Sequence, residues 1–472
     1  MSTRVLRGAR RRRLRRPLAA GPQKRMNKVM VDRMMWRTGF GPSNADRKKW
    51  IGRSVQDFVD ELLTTPQGGL RGAAPYKQER DDDPRTPLDP TEDDTDLVLE
   101  WCDKMIRLKN PFAERMAFFW HNHFATQRSE VSPPQLMQQQ IDLFRKYSDL
   151  VANPAAKFRD LLYEVGEGPA MLRFLNGEQS TKDEPNENYG REICELFAIG
   201  ILDRLGRTTY GENDIKEISR AFTGWEIEDD DPDNVKAIFN EDRWDDTKKS
   251  IFGKKAAFRH RDGVDAVLAH WSHPYFIVTK LWNEFITLPP DKATVTDLIR
   301  TYKKGGTQIR PVIRKILTDP AMFANVEPDM IKPPIVYSVG AMRALGRGIT
   351  SSQLSNALDE QGQEPYFPPT VAGWEGGLSW LNTNTALARF DFANALVNDD
   401  AYEIKDPGSS ESHTAAFTNA WNAVGRPWLA PKTRSALLFF SKNAPADNED
   451  DRIARQRVLR TFMVGGPDGQ VM

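Results

Sequence analysis

From Asp96 almost to the end of the chain, apolar residues return every third or fourth position, and this periodicity restricts the architecture more than any other feature. Leu97, Trp101 and Met105 start it, and Met116, Phe119, Trp120 and Phe124 continue it behind Pro111. Further helical stretches follow over 133–150, opened by Ser132, and over 154–165 and 169–175, each opened by a proline. The same style returns over 263–270, 274–285, 293–302, 311–317, 333–345, 354–358 and 382–396, with several more helices over 412–463. Alternation of apolar and polar residues, the mark of a half-buried strand, is scarce. The expected class is all-α: a large multi-helix body with long loops, and a minor β-hairpin or ordered loop in the acidic stretch 226–253.

The 472 residues divide by composition. Residues 1–25 carry Arg4, Arg7, Arg10 to Arg13, Arg15 and Arg16 before any acid, the pattern of a basic, solvated, disordered segment. Residues 26–95 form a small helical module and an acidic linker. Within them Ser54-Val55-Gln56-Asp57 resembles a capping box, and 66–95 are rich in Pro, Gly and Asp. The main helical domain spans 96–400, and 401–472 make a C-terminal helical extension packed on it.

Lys plus Arg and Asp plus Glu number 66 each, so no global field favours nucleic acid or an anionic surface. Nucleic-acid binding would rest on the N-terminal arginines alone and ranks last. Gln23-Lys24-Arg25 interrupts the chain before any apolar run long enough for a signal peptide, and no stretch has the length to span a bilayer. A soluble, cytoplasmic protein is expected. Cys102 and Cys194 are too far apart in sequence for a metal knuckle or redox pair, and Cys194, beside Ile193 and Phe197, is expected to be a buried thiol.

Chemistry concentrates in Phe118-Phe119-Trp120-His121-Asn122-His123-Phe124, which holds two of the six histidines. Imidazoles one residue apart face one metal on a strand or at a fraying helix end, but diverge within a regular helix. The surrounding spacing puts them in the last turns of a helix, with only one expected on the buried stripe. They are either a hydrogen-bonded pair closing an aromatic core or metal or acid-base groups.

Glu187, Asn188, Arg191, Glu192 and Glu195 come on the next informative helix, closed by Gly200. Glu192 and Glu195, three apart, share a face and are candidates for carboxylate ligands or acid-base groups. Arg220, on a helix ended by Gly224, is positioned to hold a carboxylate such as Glu192 or Glu195 and orient it. Trp225 and Trp374 each follow a glycine, and with Trp120 and Asn188 they are candidate binding residues, although burial against helix ends is the alternative.

Taken in order, Arg37-Thr38-Gly39-Phe40-Gly41-Pro42, Phe119 to Phe124, Asn186 to Tyr189 with Arg191-Glu192 and Glu195 to Phe197, Asp214 with Arg220 to Trp225, His273-Pro274, and Pro368-Pro369 through Gly373-Trp374 resemble the bacterial family catalogued as domain of unknown function 1800. The likeness spans roughly residues 27–463. It implies a mainly helical fold without an established activity. Members often carry an export signal and neighbour genes for a sulfatase-like family, which implies a partner protein of that kind. Where the family commonly has His-Asp, this chain has Trp244-Asp245, so a metal-ligating histidine there would be lost.

Two functions fit. One is a metal-dependent hydrolytic or oxidative enzyme, with a divalent ion of unknown identity held by His121, His123 and Glu195, and with Glu187, Glu192 and Arg220 in the catalytic machinery. The other is a non-catalytic helical binding or assembly protein in which the same residues form a buried polar network. No P-loop, dinucleotide fingerprint, zincin helix or serine-nucleophile elbow competes.

Overall fold

A computed structural model describes residues 24–80, 82–231, 234–400 and 402–472. The basic segment expected over 1–25 therefore lies outside the described residues, apart from Lys24 and Arg25. Among the described residues, twenty α-helices and two two-stranded antiparallel sheets make up the regular structure, so the class is all-α with minor hairpins. No helix among them is long and apolar enough to cross a membrane.

Local sequence sets the helix starts. Ser54 caps Val55–Leu62 and Asp57 returns the bond to the Ser54 amide, the expected capping box. Asp93 caps Asp94–Arg107 through the amides of Thr95 and Asp96. Pro134–Ser148 and Pro169–Phe174 begin on proline, whose missing N–H has no helical partner to lose.

The fold is organised around the helix Phe112–His123, called the central helix below. Of its twelve residues only Asn122 keeps partial exposure. The expected single buried stripe is thus corrected: the helix is packed on all sides, and both histidines are enclosed. Asp94–Arg107, Pro134–Ser148, the loop 363–380 and His273–Phe285 surround it, within one cluster of buried apolar side chains reaching from Met26 to Met472.

The acidic stretch contains two hairpins where one was expected. β1 (Trp225–Glu228) pairs with β2 (Lys236–Phe239), and β3 (Lys249–Ile251) with β4 (Lys254–Ala256). The β3–β4 turn is Phe252-Gly253, both at positive φ, the backbone shape whose twist matches a tight hairpin.

Candidate functional site

The segment after Glu187–Glu192 widens into a π-helix, Ile193–Ala198, and ends where the Gly200 amide reaches back to the Cys194 carbonyl at 2.8 Å with φ +75. A helix end leaves carbonyls without partners, and here they face the core, so each must find a donor. Side chains supply them in succession. Lys280 reaches Leu196 O at 3.5 Å, His123 Nε2–H donates to Phe197 O at 3.0 Å, His273 Nδ1–H to Ala198 O at 2.8 Å and Ser272 Oγ to Ile199 O at 2.9 Å. Thr209 Oγ1 donates to Gly200 O.

Those carbonyls fix the tautomers, because a carbonyl only accepts. His123 Nδ1 is left as an acceptor and takes a proton donor from Lys280 Nζ at 2.8 Å. His273 Nε2 accepts from Tyr302 Oη at 2.9 Å. Burial, and then the Lys280 charge, hold His123 well below the usual histidine range, and burial brings His273 down to about 4. Lys280 itself is brought down to about 8 by burial.

His121 points elsewhere. Its Nε2 accepts from the Tyr366 amide at 3.0 Å, so Nδ1 carries the proton, enclosed and without a hydrogen-bond partner. Trp101, Phe118, Tyr366 and Trp374 surround the ring, and burial lowers it to about 3. Asn122 Oδ1 accepts from the Trp374 amide at 2.7 Å. Gly373, at φ +80, lies so close that a Cβ there would stand 2.4 Å from the Asn122 carbonyl oxygen. His121 and Asn122 thus dock the Pro/Gly-rich loop, while His123 docks the π-helix.

The acidic residues do not join them. Arg191 pairs with Glu187 at 3.3 Å, Glu195 at 3.6 Å and Glu212 at 2.9 Å. Glu192 is held above the usual carboxylate range by burial and by Glu195. Arg220 does hold a carboxylate, but it belongs to Asp245, at 2.7 Å, with Glu217 at 2.8 Å, rather than to Glu192 or Glu195. Among the described residues, no three His, Cys, Asp or Glu side chains gather closely enough to hold a metal ion. The grouping of His121, His123 and Glu195 is not assembled. Helical geometry turns the two imidazoles apart, and the π-helix offers His123 its carbonyl end instead of its carboxylates.

The candidate binding residues divide. Trp120 is fully buried against Phe119, Phe124 and Phe158. Asn188 Nδ2 donates to the Leu175 carbonyl at 3.4 Å. Trp225 packs in β1 against Phe239 and His260. Trp374, stacked on Phe118 with centroids 5.6 Å apart, lines a cavity much larger than the small one beside Trp225.

That cavity, about 310 Å³, lies beside the central helix. Arg115, Phe118, Phe119 and Asn122 project into it at helical spacing. Opposite stand Asn283 and Glu284 from His273–Phe285, with Thr287 just beyond its end, and Trp374 and Trp380 close the side. Arg115 is 3% exposed, its Nη2 lies 2.7 Å from Glu284, and its Nε–H has no partner. Burial pushes the Glu284 carboxyl up while Arg115 and then Arg37 pull it down, and the upward push wins. The sequence signal for this cavity, missed in favour of the histidines, was a pair of polar residues, Arg115 and Asn122, seven apart in a helix otherwise apolar on that face. A larger open cleft, about 640 Å³, lies between residues 76–80 with Arg85 and the helices Gln353–Glu360 and Thr383–Asn398, and no residue singled out from the sequence lines it.

Residues 33–470 match the family described as Protein of unknown function (DUF1800). The chain belongs to that family. No curated protein and no solved structure matches it. Several of the blocks that carry the DUF1800 likeness meet at the central helix: Phe197 accepts from His123, His273 caps the neighbouring Ala198 carbonyl, and Gly373-Trp374 lies against Asn122, while Arg37 donates to Phe285 O at 3.2 Å and pairs with Asp329 at 2.7 Å. The Asp214 to Trp225 block forms a second cluster, with Tyr189, Phe222 and His260 in ring contact. Trp244 lies beneath Arg259 at 4.5 Å and Lys249 at 4.8 Å.

Proposed function

We infer that this DUF1800 chain is a helical binding protein whose ligand sits in the cavity between Arg115, Glu284 and Trp374, and whose buried histidines hold the frame. The observation that carries this reading is the occupancy of His123. Nε2–H donates to Phe197 O and the Nδ1 lone pair accepts from Lys280, so the ring has no lone pair left for a metal or a substrate. The cavity has the opposite character, with a buried guanidinium short of acceptors on one wall and aromatic rings on another. A ligand that fits joins a polar group, for Arg115, Asn122 and Asn283, to a flat apolar body lying against Phe119, Trp374 and Trp380.

Anilinonaphthalene sulfonate has that combination and serves as the probe. One saturable fluorescent site is expected, lost when Asn283→Trp fills the cavity without changing the unfolding midpoint. Absence of a saturable site, or equal binding by the variant, would sink the reading. Elemental analysis of the purified protein separates it from the metal-dependent enzyme: stoichiometric metal that leaves on His121→Ala while the fold persists would favour the enzyme.

A further inference from the structure

Four large apolar side chains are left in solvent at one tip of the molecule: Ile201 at 49%, Leu202 at 58%, Leu205 at 66% and Trp271 at 56% exposure. The turn that carries the two leucines is wired from within. Asp203 Oδ1 accepts from the amides of Leu205 at 2.7 Å and Arg207 at 2.9 Å, its Oδ2 takes Arg207 Nε at 2.7 Å, and Leu202 bridges to Thr208. The leucines are therefore presented outward by the same bonds that build the turn, at a cost in apolar exposure that folding alone does not require.

The rim of this tip is cationic. The Arg207 guanidinium lies over the Trp271 ring at 5.6 Å, and Arg204 is exposed beside it. Phe252 of the β3–β4 turn touches His270, which touches Trp271, and this brings in exposed Lys254 and Lys255. Asp203 offsets Arg207, so the excess positive charge of the rim comes from Arg204, Lys254 and Lys255. Asp203 is occupied as described, and Asp214 accepts from the amides of Phe252 at 3.2 Å and Gly211 at 3.1 Å.

We propose that this tip docks the protein on an anionic phospholipid surface, with Leu202, Leu205 and Trp271 entering the boundary between headgroups and acyl chains while Arg204, Arg207, Lys254 and Lys255 meet the phosphates. Charge complementarity selects this partner. Lipid binding by a soluble body needs an apolar anchor together with a basic patch, and tryptophan favours the interface. A stable protein interface needs about 800 Å² from each partner. A protruding turn is a poorer fit to that requirement than to a bilayer, which accepts a small wedge.

The test is co-sedimentation of the full chain with phosphatidylcholine vesicles, alone and mixed with phosphatidylglycerol. Binding is expected only to the mixed vesicles, falling as salt rises. Leu202→Ser with Leu205→Ser should weaken it about tenfold or more, with the unfolding midpoint unchanged. Because Arg10 to Arg13 carry charge of their own, a variant with these four changed to serine is run in parallel and should retain leucine-dependent binding. No binding to mixed vesicles, equal binding to phosphatidylcholine alone, or binding indifferent to the leucine pair would overturn the proposal. So would a change of oligomeric state in the leucine variant, since the tip would then be a contact between proteins.

Discussion

The two sides of the central helix solve opposite problems with similar residue types. On the side of His123 both ring nitrogens have a use and five successive carbonyls, Leu196 to Gly200, are taken by side chains, while burial holds the imidazole neutral. On the side of Arg115 a guanidinium is buried with one ion-pair contact and an unused N–H, beside about 310 Å³ of open space. Saturated polar groups make a frame; unsaturated ones beside a void make a place for something else. The more conspicuous histidines therefore belong to the frame.

This contrast can be broken by substitution. His123→Ala removes an enclosed ring and strands both Phe197 O and Lys280, so a loss of about 3–5 kcal/mol is expected in denaturant unfolding. A loss below about 1 kcal/mol would mean that the cap is dispensable. Arg115→Met leaves Glu284 without its partner and should cost about 2–3 kcal/mol, short of the limit for a fully buried pair because the Glu284 side chain keeps 20% exposure. Adding Glu284→Met should recover most of that loss, and failure to recover would place both groups in the frame.

Acid should act on the buried histidines. His121 is lowered to about 3, so between its unfolded pKa near 6.5 and that value the unfolded chain binds the proton that the folded one refuses. Its contribution is present above pH 6.5 and lost as pH falls, with a slope of about 1.4 kcal/mol per pH unit that flattens below about 3. His121→Phe should make the stability profile shallower by that amount. The smallest effect belongs to the cavity: Asn283→Ala, at an exposed position, should change stability by less than about 0.5 kcal/mol yet alter probe affinity. Equal changes in both would erase the distinction between the two sides.

Much of the local structure was legible. The Ser54–Asp57 box, the helix behind Pro111, the glycines 200 and 224 at positive φ after their helices, and the buried thiol of Cys194 all follow from rules that act within a few residues. The orientation of the site was not. Met116, Phe119, Trp120 and Phe124 suggested one buried stripe because periodicity reports a single preferred face, whereas a helix enclosed on every side carries no such mark. Arg220 was rightly expected to hold a carboxylate, but Asp245 lies 25 residues away across a loop that sequence spacing cannot fold back.

By itself the sequence determined the all-α class, most helix starts and stops, and the family, because capping, proline and glycine conformation and apolar spacing are short-range physics. Which residues meet is long-range, and only the tertiary structure decided it. It sent His121 to a loop amide, His123 to a carbonyl, and Arg115 to the wall of a void, since partners separated by 74 to 245 residues are chosen by packing and by the need to satisfy every buried polar atom.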